Sequence, residues 1–532
     1  MKISNEIIQS LLKDDDFVKG IKSKMEKADT ITQATGLLWY DLSPIIQLMY
    51  PFKELIPLIS KLPRVPGDGG NAYHWNRVTA VNVGNQSAGV SEGNRGARIS
   101  ILAQPQMASY KTMGLESSVT FEARLGGKNL TPDALGNAIQ STLRSTMIQE
   151  EQTLVLGNAS TALGQCPTPV LATTGTGGTI PTGTAYVICV ALSGFGVQNY
   201  TTYNSVTNPT GGVPGQVTKT NADGSVDVFG GGSGKPSAEA SIAVTLGQQV
   251  TATTAGTVGA VGYAWYLGTA SGAEKLVALT TGTTITFKSA PVSTAQPVTN
   301  LQVAGVYQDN SLNTLLPDGI LSQIFGSVFG AAPGTNMSTY GSLPTNIGLT
   351  GGGSLVYTAL PGNTGLTVNG TNIAEFDAIL EAAYITYKIG YDKIYVSAQD
   401  LLQFSGTMLS QGSSSMFRIL FDAEADTGRI IAGRRVTSYL NKFYGNTLDI
   451  EVHPYLPPGN VIFWSDHVPY ELADVTNILE AKVRQDYYQI QWPLKTRRYE
   501  YGVYVDEVFC CNFTPGFGAI IGLNTTLGTP VY

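Results

Sequence analysis

Residues 163–302 contain no arginine and only eight charged side chains: Lys219, Asp223, Asp227, Lys235, Glu239, Glu274, Lys275 and Lys288. Thr, Gly, Val and Ala dominate this stretch, whereas 1–162 and 303–532 are mixed in charge. An island of one composition between two similar zones reads as a domain inserted into another. At 532 residues the chain is too long for one core, and a size of ~100–200 residues per domain makes two to four the expectation.

Within the island, candidate strands at 184–192, 240–245, 261–267, 275–279 and 283–287 are short and separated by Gly, Ser, Thr and Pro turns. That pattern predicts a β-sandwich. The run Tyr263-Ala264-Trp265-Tyr266-Leu267-Gly268 sets a Trp in a strand, where burial between two sheets is expected. No cysteine pair stands at immunoglobulin spacing, so a disulfide-free, fibronectin-like arrangement is the expectation.

The first zone opens with a helical stretch and then an extended arm with turn signals, Leu62-Pro63-Arg64-Val65-Pro66-Gly67-Asp68-Gly69-Gly70. A long hairpin follows, with limbs at 73–83 and 98–110 and a tip carrying Gly84, Gly89, Gly93 and Gly96. Strand-like sequence resumes at 114–123. So long a polar loop in a compact domain is usually functional or partner-bound. Residues 131–157 predict a helix: Thr131 as N-cap, Pro132 at the first position, Asp133 at the positive end and Gly157 as the stop. Leu135, Ile139, Leu143 and Met147 give it one apolar face. In the last zone Asn372 and Glu375 have capping-box spacing. Phe376, Ile379, Leu380, Ala383, Ile385 and Tyr387 form the face of that helix, and Gly390 its end. Ile394-Tyr395-Val396 is a short strand, Ser397 caps a helix through Phe404, and strands are expected at 436–439, 449–453, 461–464 and 498–513.

Catalytic constellations are missing. The three histidines, His74, His453 and His467, form neither HExxH nor a close pair, and no GxSxG elbow occurs. Gly230-Gly231-Gly232-Ser233-Gly234-Lys235-Pro236 resembles a phosphate loop, but Pro236 replaces the required Ser/Thr and Phe229 the first Gly. The neighbours Glu150 and Glu151, like Asp466 and His467, do not converge on one substrate atom, and a solvated or interface role is expected of them. Cys166, Cys189, Cys510 and Cys511 offer no metal-ligand spacing. They are read either as a redox crosslink or, as expected here, as buried thiols in a reducing cytosol. Cys510 and Cys511, adjacent in a predicted strand, point to opposite faces. No metal or cofactor is expected. Charged residues are 13%, apolar ones 42%, and the net charge of −7 gives no general basic surface for nucleic acid. No apolar run reaches the ~18 residues that span a bilayer, and no signal-peptide pattern begins the sequence.

The order of these elements resembles the tailed-bacteriophage major capsid protein family, with the Hong Kong 97-type fold. On that resemblance the fold class is α+β: an N-terminal arm at 1–65, an extended loop at 66–112, a peripheral domain with a long spine helix at 113–162, an inserted immunoglobulin-like β-sandwich at 163–302, an axial domain at 303–495 and a return strand of the peripheral domain at 496–532. The passage 376–404 looks like the start of the axial domain, 433–461 its later strands, and 499–512 the return strand. The resemblance covers most of the chain outside 163–302 and rests on order and pattern, with no diagnostic short motif.

It implies hexamers and pentamers that tile an icosahedral shell around double-stranded DNA without reading its sequence. Portal, scaffold and cement or decoration proteins would be partners, with assembly in the host cytoplasm and no membrane. Inter-subunit contact is expected of Arg77, Arg95 and Arg98 in the loop and of Arg434 and Arg435, whose cluster, with 495–498, also reads as a nucleic-acid contact or a solvated face. No Lys lies between Lys61 and Lys111, so the loop-to-Asn isopeptide bond of some family members is not expected. The competing readings are an encapsulin-like compartment shell, a tail or adhesion protein whose sandwich binds glycans through exposed aromatics such as Tyr200 and Tyr203, and an enzyme.

Overall fold

The computed structural model describes residues 52–67, 69–80, 89–96, 102–126, 134–200, 211–329, 354–358, 366–369, 372–411, 436–472, 475–494 and 496–523. One four-stranded sheet gathers residues from both ends of the chain, in the order Arg64–Pro66, Leu479–Gln491, Arg498–Cys511, Lys111–Thr120. Arg64–Pro66 pairs in parallel with residues 481–483, and the other two pairings are antiparallel. Because side chains alternate along a strand, Val508 and Cys510 face a small core with Tyr110, while Phe509 and Cys511 face the main one with Leu154 and Val155. The adjacent cysteines thus point to opposite faces, and all four thiols are free and buried.

The helix Ala134–Leu156 lies on strands Lys111–Thr120 and Arg498–Cys511. Its 23 residues span about 34 Å at 1.5 Å each. Thr131, Pro132 and Asp133 lie outside the described residues. The burial of this helix departs from the sequence expectation. Leu135, Ile139, Leu143 and Met147 are only half-buried, while Thr142, Thr146, Glu150 and Thr153 are buried. A polar stripe can face inward because each Thr hydroxyl donates to the carbonyl four residues back, at 2.8–2.9 Å. Gly157 follows the helix as expected, but not as a left-handed cap. A Cβ there would stand 2.3 Å from the Pro317 carbonyl oxygen, so glycine permits a close backbone approach.

A six-stranded sheet runs Leu355–Thr358, Phe517–Ile521, Asn460–Trp464, Lys393–Val396, Thr447–Val452, Ser438–Leu440. The helix Ala374–Ala382 packs Phe376, Ile379 and Leu380 against Ile394, Val461, Phe463 and Ile520. Asn372 is not its N-cap: Asn372 and Ile373 pair as a strand with Val368 and Asn369, and Ile373 is the cap residue. Glu375 instead accepts the Thr367 N–H at 2.9 and 3.0 Å. The helix passes into a π turn at Ala383–Tyr387 and ends on Lys388 in the left-handed region, not on Gly390. The Ser397 cap is present, with its hydroxyl oxygen accepting the Asp400 N–H at 3.1 Å. This helix continues beyond Phe404 to Gln411.

Between these bodies lie a three-stranded sheet (Thr284–Phe287, Gln249–Thr253, Val170–Thr174) and a four-stranded one (Lys275–Thr280, Gly262–Gly268, Gly183–Leu192, Ala240–Val244). Val250, Ala252 and Phe287 of the first share a core with Val187, Cys189, Tyr263, Trp265 and Leu267 of the second. The opposite face of the second, with Val190, Ala264 and Tyr266, is covered by Val213, Val298 and Leu301. Burial on both faces explains why strand Gly262–Gly268 reads as a continuous apolar run.

Sheet membership groups the later strands differently from the boundaries that the resemblance implies. Leu479–Gln491 joins Arg498–Cys511 across the 495/496 boundary, because a short connection favours pairing of consecutive antiparallel strands. Phe517–Ile521 belongs to the six-stranded sheet and not with the strand before it. Residues 309–311 close against the middle sheets: Asp309 accepts the Gly164 N–H at 2.6 Å, and Ser311 the Leu163 N–H at 3.0 Å. Gly319 N–H donates to the Gly157 carbonyl at 2.9 Å, so the chain leaves the middle sheets beside the point where it arrived.

Candidate functional site

Ala72–Ala80 and Leu102–Ser109 pair as an antiparallel hairpin. Its base is tied down by Tyr73, Trp75 and Ala108 packed on Tyr110, Val508 and Cys510. The Trp75 indole N–H donates to the Cys511 carbonyl at 3.0 Å. Arg77 stands opposite Gln104 and is half-buried. Burial pushes the Cys511 thiol up to about 12, with the Arg77 charge pulling the other way. Arg95 is exposed in the stretch 89–96, all of which is exposed. Arg98, Arg434 and Arg435 lie outside the described residues.

A different cluster holds the arm in place. Arg64, leaving the arm, meets Glu150 of the long helix at 2.5 Å, Asp486 at 2.9 Å and Glu507 at 3.3 Å. Its guanidinium also lies 4.6 Å from the centre of the Tyr487 ring. The Tyr487 hydroxyl donates to Glu150. Glu150 and Glu507 are fully buried. Burial, then the Glu150 charge, drives the Glu507 carboxyl well above the usual range, against the pull of Arg64. Three carboxyl groups around one guanidinium are over-compensated, and a proton retained on Glu507 relieves the excess.

Glu151, the next residue, turns the other way. Its carboxylate accepts the N–H groups of Leu58 and Ile59 at 3.0 and 2.8 Å and sits 2.7 Å from His453 Nε2. The Tyr455 N–H donates to His453 Nδ1 at 3.2 Å. Nδ1 therefore accepts, which places the ring proton on Nε2, donating to Glu151. These two adjacent glutamates fasten the arm to both sheets. The solvated or interface role expected of them is wrong. Each has found partners that compensate its burial, and such partners, far away in sequence, are invisible in a neighbouring-residue pattern. A signal existed: Leu154-Val155-Leu156, two residues beyond the pair, marks a helix end buried all round.

Asp466 is half-buried, 3.1 Å from Lys393 and 2.9 Å from the Trp464 indole nitrogen, while His467 is exposed. Tyr200 is half-buried against the second core of the middle sheets, and Tyr203 lies outside the described residues. A cleft of about 940 Å³ opens between strand Lys111–Thr120, the long helix and the hairpin Gln216–Thr220 with Val226–Gly230. Its acids are held in local bonds: Glu116 by Tyr504, Asp223 by Ser225 and Asp227 by Asn221. Among the described residues no group of three His, Cys, Asp or Glu side chains is placed to hold a metal. Among the same residues no helix is long and apolar enough to cross a membrane.

No protein-family model matches the sequence, and no curated protein matches it. Among solved structures the chain is similar to the capsid of cyanophage A-1(L), at 11% identity, 93% of this chain, 100% of that one and a TM-score of 0.40. It is similar to the capsid of an empty GTA particle at 8% identity, 92% and 97% coverage and a TM-score of 0.37. It is also similar to the SrpI encapsulin complex of Synechococcus elongatus PCC 7942, at 8% identity, 95% and 100% coverage and a TM-score of 0.33. Scores of this size carry no argument about a shared fold.

Proposed function

We propose that this chain is the major capsid protein of a tailed bacteriophage, with the Hong Kong 97-type fold, and that it assembles as hexamers and pentamers into an icosahedral shell around double-stranded DNA. The observation that carries this reading is the return of strand Arg498–Cys511 to strand Lys111–Thr120 beneath the long helix, with the exposed hairpin leaving the same region. The six-stranded sheet is then the axial domain. The middle sheets are an inserted immunoglobulin-like domain, which the side-by-side crossings at 157–164 and 309–319 support. The role is architectural, with no catalysis and no cofactor. Portal, scaffold and decoration proteins are its partners, and it resides in the virion after assembly in the host cytoplasm. Arg77 and Arg95 contact neighbouring subunits from the loop, with Arg98, Arg434 and Arg435 alongside.

The half-buried stripe Leu135, Ile139, Leu143, Met147 on the long helix supports self-association, since the described residues cover this apolar row only in part. Replacing Leu143 with Glu tests this by mass photometry beside a thermal melt. The expected result is a folded chain that stays monomeric while the wild type assembles. Unchanged assembly of Leu143→Glu removes the stripe from the account.

A further inference from the structure

The turn between strands Gly262–Gly268 and Lys275–Thr280 carries an acidic pair that the sheets do not require. Glu274 is fully buried. Glu239, just before strand Ala240–Val244, is exposed. The Gly272 N–H is directed at both, 3.1 Å from Glu274 Oε1 and 3.2 Å from Glu239 Oε2. The Ser271 hydroxyl donates to the same Glu239 oxygen at 3.0 Å. Two carboxyl oxygens thus converge on one N–H. The second Glu274 oxygen has no hydrogen-bond partner among the described residues.

The other groups facing the pair do not neutralise it. Tyr307, from strand Val306–Tyr307, presents a phenol. Lys275 turns its ammonium to the Ser293 carbonyl at 2.5 Å. The backbone of Glu274 is held in place, its carbonyl accepting the Val298 N–H at 3.0 Å. Burial and then the hydrogen bond with Glu239 push the Glu274 carboxyl up to about 7. The same hydrogen bond, seen from Glu239, holds that carboxyl below its usual value.

We propose that Glu239 and Glu274 hold one proton between them, clasping the turn at residues 268–275 to the start of strand Ala240–Val244, and that loss of this proton releases the clasp. With the proton, the pair carries one negative charge and one O–H···O bond. Without it, two like charges face each other and one is buried. Glu274 is raised in the closed turn, so its stabilisation is complete below about 4.5, falls as pH rises and is gone above about 7. Opening releases a proton across that window, and the opening equilibrium rises by up to about tenfold per pH unit there.

Hydrogen exchange of the full chain by mass spectrometry, in peptides covering 268–275 and corrected for intrinsic exchange, reads this directly. In the wild type, exchange through turn opening rises severalfold per unit from pH 5 to 7 and levels off above. Glu274→Gln donates an N–H to Glu239 without titrating, and its corrected profile is flat. A flat wild-type profile, or equal slopes in the two proteins, overturns the proposal. Should Glu274→Gln fail to fold, Glu239→Gln alters only an exposed side chain and moves the midpoint to lower pH. An unmoved midpoint in that variant also overturns it.

Discussion

Replacing Arg64 with Ala removes a cation that Glu150, Glu507 and Asp486 share. Asp486 is largely exposed and loses little, and burial already holds the Glu507 carboxyl above its usual range. Glu150 is left as a fully buried carboxylate whose remaining support is the Tyr487 hydroxyl. Breaking a buried pair from one side costs about 3–5 kcal/mol. The residual Tyr487 bond argues for the lower half of that range, and the lost guanidinium–ring contact adds back about 0.5–1 kcal/mol. About 4 kcal/mol, or nearly three orders of magnitude in the folded-to-unfolded ratio, is the expectation. Lys61→Ala is the control. Its ion pair with Glu451 spans 2.9 Å, with the lysine exposed and the glutamate half-buried, so it is worth about 1 kcal/mol at most.

The pH dependence separates a buried cluster from a solvated one. Glu507 is raised in the folded chain, so its stabilisation is complete below its unfolded pKa and is lost as pH rises through its folded value. Without Arg64 the folded Glu507 carboxyl binds its proton more tightly still, so the deficit of the variant is expected to widen from pH 5 to pH 8. Urea unfolding followed by tryptophan fluorescence at both pH values measures this. A cost no larger than that of Lys61→Ala at pH 8, or the same deficit at both, refutes the reasoning.

Two further outcomes follow from packing. In Gly157→Ala the added Cβ would stand 2.3 Å from the Pro317 carbonyl oxygen. A net loss of about 1–3 kcal/mol in the same urea assay is therefore expected, and a gain would show that the 317–319 segment yields. All four thiols are buried, and burial pushes Cys510 upward and Cys511 up to about 12. A thiol-specific disulfide reagent should react slowly with the native chain and label every cysteine after denaturation. Rapid native labelling would contradict their placement.

Local patterns carried much of the secondary structure. The strand expected at 184–192 is Gly183–Leu192, and that at 461–464 is Asn460–Trp464. Alternation and turn residues suffice there because the signal is contained within the segment. Pairing was less visible. No strand was expected at Leu479–Gln491, so its pairing with Arg498–Cys511 across a short connection went unread, and the capping-box spacing at Asn372 was overridden by a two-residue strand pairing. The buried junction was hidden for the same reason. Arg64 and Glu150 lie 86 residues apart and Glu507 is farther still from both, and a charge reads as solvated until its partner is known. The stripe at Leu135–Met147 was legible as apolar, but its incomplete burial depends on what the chain leaves uncovered.

Self-assembly is the central claim, and negative-stain electron microscopy of the purified wild-type chain, with sedimentation alongside, tests it most directly. The account predicts closed shells or hexameric and pentameric rings, with nuclease-protected DNA in particles from infected cells. A folded monomer or trimer that never assembles, even with scaffold or crowding agents, would contradict it, and shells filled with a protein cargo would move the reading to a cellular compartment.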